Sequence, residues 1–102
     1  MTKDERDYEY ILEGKEYEKK GDIESAIAIY EKLLSRHFEG TFPYNRLCIL
    51  YHKRNEFLNE ERVIKKAIAL YTKITDEGRD WGAHNISHFQ ERLEKLKKKL
   101  EK

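Results

Sequence analysis

The stretch that most constrains this chain runs from Gly21 to Leu34, GDIESAIAIYEKLL. Gly21 suits the positive φ that follows a helix end. Asp22 next to it is suited to cap the following helix by accepting from its first free amides. Ile23, Ala26, Ile27, Tyr30, Leu33 and Leu34 then fall at helical spacing on one face. A turn followed by an amphipathic helix is therefore expected here. The same pattern returns 34 residues later, so the unit is a helix–turn–helix used twice.

Laying residue n on residue n+34 places Tyr10 on Tyr44, Tyr17 on Tyr51, Gly21 on Asn55, Ile23 on Phe57, Tyr30 on Ile64 and Leu33 on Ala67. Asn tolerates the left-handed conformation better than most residues, so Asn55 keeps the meaning of Gly21. Gly14 falls on Cys48, a second small side chain where two helices approach closely. The first unit thus carries Tyr10, Gly14, Tyr17, Ala26, Tyr30 and Leu33 where the second carries Tyr44, Cys48, Tyr51, Glu60, Ile64 and Ala67.

A helix–turn–helix unit of this period and residue order resembles the tetratricopeptide repeat family. The resemblance covers about residues 7–74 and implies an all-α fold, a short alpha-alpha superhelix of two helical hairpins plus a long C-terminal helix. Residues 7–40 form the first repeat, 41–74 the second and 80–102 a capping helix, in one domain of 102 residues. Some positions depart from the family pattern. Glu13 stands where Leu is usual, no Pro closes the first unit, and Glu60 and Glu61 replace the Ala26 and Ile27 of the first repeat. Glu60 is expected to meet Arg46 or Arg54, or else to open the second hairpin slightly.

Periodicity sets the helices at about 7–20, 23–36, 42–54 and 57–74, with residues 1–6 frayed. A polar break follows at 75–80, and a fifth helix runs from there to the end. Its apolar residues Ile86, Phe89, Leu93, Leu96 and Leu100 alternate three and four apart as a heptad seam. Ile86, Phe89 and Leu93 are read as capping the open end of the stack. A repeat helix has only about 14 residues, so Leu96 and Leu100 are expected to project past the hairpins and pair with a second copy. Residues 1–34 hold six basic and ten acidic side chains, while 90–102 hold six basic and three acidic. This asymmetry is read either as two solvated faces or as an acidic front meeting the basic tail of another copy.

No apolar run approaches the ~20 residues of a membrane span, and the charged N-terminus does not read as a signal peptide. A single cysteine cannot form an internal disulfide. These features set the expectation of a cytoplasmic protein with no membrane contact.

His84, His88 and Glu91 have a spacing able to hold a transition metal, but no further ligands accompany them, and polar residues on an open helix face are the preferred reading. Cys48 occupies a buried small-residue place, and no phosphate-binding glycine loop exists. Neither an enzyme nor a cofactor is therefore expected. The basic residues Arg46, Lys53, Arg54, Arg62, Lys65 and Lys66, with Tyr44, Tyr51 and His52, have the residue types of a nucleic-acid patch. The tyrosines belong to the core alignment and the bases alternate with Glu56, Glu60 and Glu61, which disfavours that class.

What remains is the groove that the family resemblance implies, lined by the first helix of each hairpin. It would present Tyr8, Ile11, Lys15, Glu18 and Lys19, then Phe42, Asn45, Ile49, His52 and Lys53, bordered by Trp81, His84 and His88. In the family's chaperone-tail binders a Lys and an Asn stand four apart, where this chain has Ile11 and Lys15, so that role is not supported. The expected partner is a protein or peptide, acidic or amphipathic. The alternatives are self-association through Leu96 and Leu100, as a possible homodimer, and a nucleic-acid-binding regulator.

Overall fold

Backbone repetition at the turns establishes the architecture. In the computed structural model, which describes residues 2–101, five helices follow one another: α1 Lys3–Lys19, α2 Ile23–Ser35, α3 Phe42–Lys53, α4 Phe57–Asp76 and α5 Gly82–Leu100. There is no strand among the described residues. Gly21 has φ +80°, its N–H donates to Glu18 O at 3.0 Å, and that of Asp22 donates to Tyr17 O at 2.8 Å. Asn55, 34 residues on, has φ +59°. Its N–H donates to His52 O at 3.0 Å, and that of Glu56 donates to Tyr51 O at 2.9 Å. Both helices therefore end in the same paired cap, closed by a left-handed residue that satisfies two terminal carbonyls. His37 closes α2 in the same way at φ +61°, a cap the sequence does not signal because histidine is an uncommon left-handed residue.

The helices gather into two compact units, the first ending at Leu50 and the second beginning at Tyr51. The boundary falls inside α3. In the first unit, α1 packs antiparallel on α2. Ala26, Tyr30, Leu33 and Leu34 of α2 are buried, as the spacing predicts, and Gly14 of α1 lets the Tyr30 ring approach. A Cβ at Gly14 would stand 2.3 Å from Tyr30 Cε1, so the small residue is required there. Tyr44, Leu47 and Cys48 of α3 are also buried. Burial, with the charge of Glu39 beside it, pushes the Tyr44 phenol up to about 12.

Of residues 1–6, expected to fray, Thr2 instead caps α1 and residues 3–6 begin it, while Met1 lies outside the described residues. Thr2 Oγ1 accepts from the N–H of Glu5 at 3.2 Å, and Lys3 Nζ donates to Asp7 Oδ2 at 2.8 Å. Asp7 is buried and its Oδ1 also accepts from Arg36 Nε at 2.6 Å. Lys32 Nζ and Arg36 Cζ lie 4.9 and 5.4 Å from the Tyr10 ring centroid, and Tyr10 is half-buried. The start of α1 is thus fastened to the end of α2. Burial raises the Asp7 carboxyl, but the hydrogen bonds and charges of Lys3 and Arg36 outweigh it and hold the group below its ordinary value. A lowered folded-state value means that this stabilisation is complete above the unfolded carboxylate range and is lost as pH falls through the folded value. Asp7→Asn is expected to cost about 1–3 kcal/mol at pH 7, with the difference from the parent closing below about pH 4 in urea melts run across the acid range.

In the second unit, α4 and α5 pack antiparallel along their length. Tyr71 stacks on Phe89 at 6.0 Å between centroids, while Lys99 Nζ lies 4.8 Å over the Phe57 ring near the other end. Val63, Ile64, Ala67, Tyr71 and Ile74 face inward. This packing corrects the expectation for the seam. Leu96 is only 3 % exposed, because the 20-residue α4 is long enough to cover it. Leu100 alone of the pair stays open, at 42 %. Leu96 thus does not project past the hairpins as expected.

Glu60 corrects a second expectation. It is buried, and the partner that the structure gives it is His52, whose Nδ1 lies 2.8 Å from Oε1. Arg46 pairs with Glu18 and Arg54 with Glu56 instead. The second hairpin accommodates the carboxylate by lending it a ring from the end of α3.

Candidate functional site

The inward face of α1 is used up by Asp7, Tyr10, Gly14 and Tyr17, which are buried or half-buried. Its opposite side would ordinarily be wholly polar. It is not. Tyr8 is 54 % exposed and Leu12, one turn later, 50 %, and Ile11 beside them is half-buried. Lys15 and Lys19 carry the same stripe toward the helix end and are exposed. Exposed apolar surface on this stripe is thus followed by two cations.

Two side-chain contacts place α3 beside this stripe. Lys15 Nζ stands 4.8 Å over the Phe42 ring, and Arg46 pairs with Glu18, its Nε donating to Oε2 at 3.1 Å and its Nη2 to Oε1. The Tyr30 hydroxyl donates to the same Glu18 Oε2 at 2.7 Å. One carboxylate therefore ties α1, α2 and α3 together. Burial and the neighbouring Glu18 hold the Tyr30 phenol far above its ordinary value, so it remains a neutral donor. The hydrogen bonds from Arg46 to Glu18 raise the guanidinium further, so Arg46 stays charged. Asn45 and Ile49 are half-buried on α3.

Of the groove residues read from the sequence, Tyr8, Ile11, Lys15, Lys19, Asn45 and Ile49 lie in the first unit. His52 and Lys53 lie in the second, where His52 meets Glu60 and packs edge-on against Phe57 at 5.4 Å, while Lys53 is exposed. Glu18 and Phe42 serve the joint between the helices. The sequence reading omitted Leu12, although its place one turn after Tyr8 and off the Tyr10–Gly14–Tyr17 face was the available signal.

The other constellations resolve locally. Tyr44 and Tyr51 are buried. Lys65 Nζ is 3.8 Å from Glu61, and Arg62 Nη2 is 3.5 Å from Asn59 Oδ1, so those cations have partners on their own helix. Trp81 packs edge-on against Tyr71 at 5.5 Å, with Arg79 over its ring. Cys48 is buried. No three His, Cys, Asp or Glu side chains among the described residues are arranged to hold a metal ion, and no helix of the described residues is long and apolar enough to cross a membrane. The chain matches no protein-family model, no curated protein and no solved structure.

Proposed function

We propose that this chain is a tetratricopeptide-like interaction module of the adaptor or assembly kind, which binds a peptide segment of a partner protein on the outer face of α1 beside α3. The observation that carries this reading is the exposed pair Tyr8 and Leu12, continued by Lys15 and Lys19. A ligand that fits has an apolar anchor for Tyr8, Ile11 and Leu12 and carboxylates for the two lysines. An acidic amphipathic segment meets both needs. The 34-residue repeat and its duplicated turn support the family reading.

The test is selection from a displayed peptide library on the parent protein, with a Leu12→Glu variant as the counter-selection. Enriched peptides are expected to combine Leu or Phe with Asp or Glu. Their affinity for a Lys15→Glu, Lys19→Glu variant is expected to fall at least about tenfold, since each lost charge contact is worth about 1 kcal/mol, and the gap narrows at 0.5 M salt. Lys15→Glu also gives up its contact with Phe42, about 0.5–1 kcal/mol of stability at an exposed site, so melts accompany the binding curves. Equal recovery of peptides on parent and Leu12→Glu protein would refute the proposed face.

A further inference from the structure

The second unit carries an open groove of about 640 Å³ between α4 and α5. Ile68 and Leu93 supply its apolar floor, Lys65 stands on the α4 wall, and Glu91 and Glu94 stand on the α5 wall. Leu58, seven residues before Lys65 and so on the same face of α4, is 79 % exposed. The groove thus has a short apolar floor between one basic and one acidic wall, and Leu58 is a further exposed apolar side chain on α4. Lys65 already leans toward Glu61 at 3.8 Å, an exposed contact that can be exchanged at little cost.

The outer face of α1 is its complement. Tyr8, Ile11 and Leu12 form the apolar line, Glu5, Glu9 and Glu16 recur along one exposed edge, and Lys15 and Lys19 occupy the C-terminal half. Seated in the groove, the acidic edge lies against Lys65 while the two lysines meet Glu91 and Glu94. Both surfaces are exposed within their own unit, and each offers the charges the other lacks.

We infer that the α4–α5 groove of one copy receives α1 of a second copy. The inference rests on the reading of α1 as an interaction face and names a competitor for it, because a copy held in the groove covers the peptide-binding stripe. Two different surfaces meet in this contact, so it is heterologous and leaves a free α1 at one end and a free groove at the other. A pair closes if the two copies exchange α1 reciprocally, and association continues beyond a pair if they do not. Few apolar side chains take part, and ordering two surfaces opposes them, so the affinity is modest and the assembly reversible.

Sedimentation equilibrium tests this with two variants whose changes all lie at exposed positions. One carries Glu91→Lys and Glu94→Lys, the other Lys15→Glu and Lys19→Glu, and circular dichroism checks that each is folded. The parent mass is expected to rise with concentration from 12.4 kDa to at least twice that value. Each variant alone is expected to stay at the monomer mass, because like charges then face each other across the contact. An equimolar mixture of the two is expected to regain the parent's mass, since reversed groove meets reversed α1. A parent that is monomeric throughout, a variant that associates as the parent does, or a mixture that stays monomeric would each overturn the inference.

The peptide selected on the parent separates this outcome from that of the proposed function. It is expected to bind the Glu91→Lys, Glu94→Lys variant at least as tightly as the parent, because that variant keeps α1 intact and uncovered. If the mixture regains mass and no peptide is ever selected, the inference stands and the peptide reading falls. If peptides bind while the mixture stays monomeric, the reverse holds.

Discussion

Tyr30→Ala is expected to lower the unfolding free energy by about 3–5 kcal/mol, the range for truncating a buried large aromatic. The ring is fully buried, fills the space left by Gly14, and meets Phe42 edge-on at 5.7 Å between centroids. Its removal leaves a cavity where three helices meet and takes away the hydroxyl that Glu18 accepts from at 2.7 Å. Chains of this size have about 5–15 kcal/mol in all, so much of the stability goes with one side chain. Tyr30→Phe keeps the ring, and Glu18 keeps Arg46, so its cost is expected to be about 1 kcal/mol. Urea melts of the two variants beside the parent give both numbers. A Tyr30→Ala protein as stable as Tyr30→Phe would show that packing against Gly14 contributes little. Loosening this joint also releases α3 from α1, so the alanine variant is expected to lose affinity for any peptide selected on the α1 face.

The pair formed by His52 and Glu60 gives the second large effect. Glu60 stands 34 residues after Ala26, at a place where the first hairpin buries a methyl group. Its carboxylate is also buried, with His52 Nδ1 at 2.8 Å. His52→Ala is expected to cost about 1–3 kcal/mol, because it strands a buried acceptor. Glu60→Ala removes the group that needs the partner and restores the residue type of the first hairpin, so it is expected to cost less than His52→Ala and to be neutral or stabilising. The double variant should then match Glu60→Ala alone. A thermodynamic cycle of the four proteins by chemical denaturation checks the order. Were Glu60→Ala the more damaging single change, the carboxylate would have to be stabilised by more than the ring of His52.

The helices were legible in the sequence because their signals are local. Apolar residues three and four apart fix the faces of α2 and α4, and a left-handed residue closes each turn at Gly21 and Asn55. The duplicated spacing then assigns Tyr17, Tyr30, Tyr44 and Tyr51 to helix faces before any contact is known. Four features lay beyond such rules. Asp7 meets Arg36 across 29 positions and Glu18 meets Arg46 across 28, and Glu60 takes His52 rather than either arginine. The coverage of Leu96 depends on how α4 and α5 lie together, which their seam alone does not state. A hydrophobic period tells a helix which side to bury, whereas the polar partner of a side chain depends on which helix arrives beside it and in what register. The chain's own pattern therefore determined its helices, turns and core stripes. Tertiary packing decided which charges are paired, which leucine is covered, and that Tyr8 and Leu12 remain open on α1.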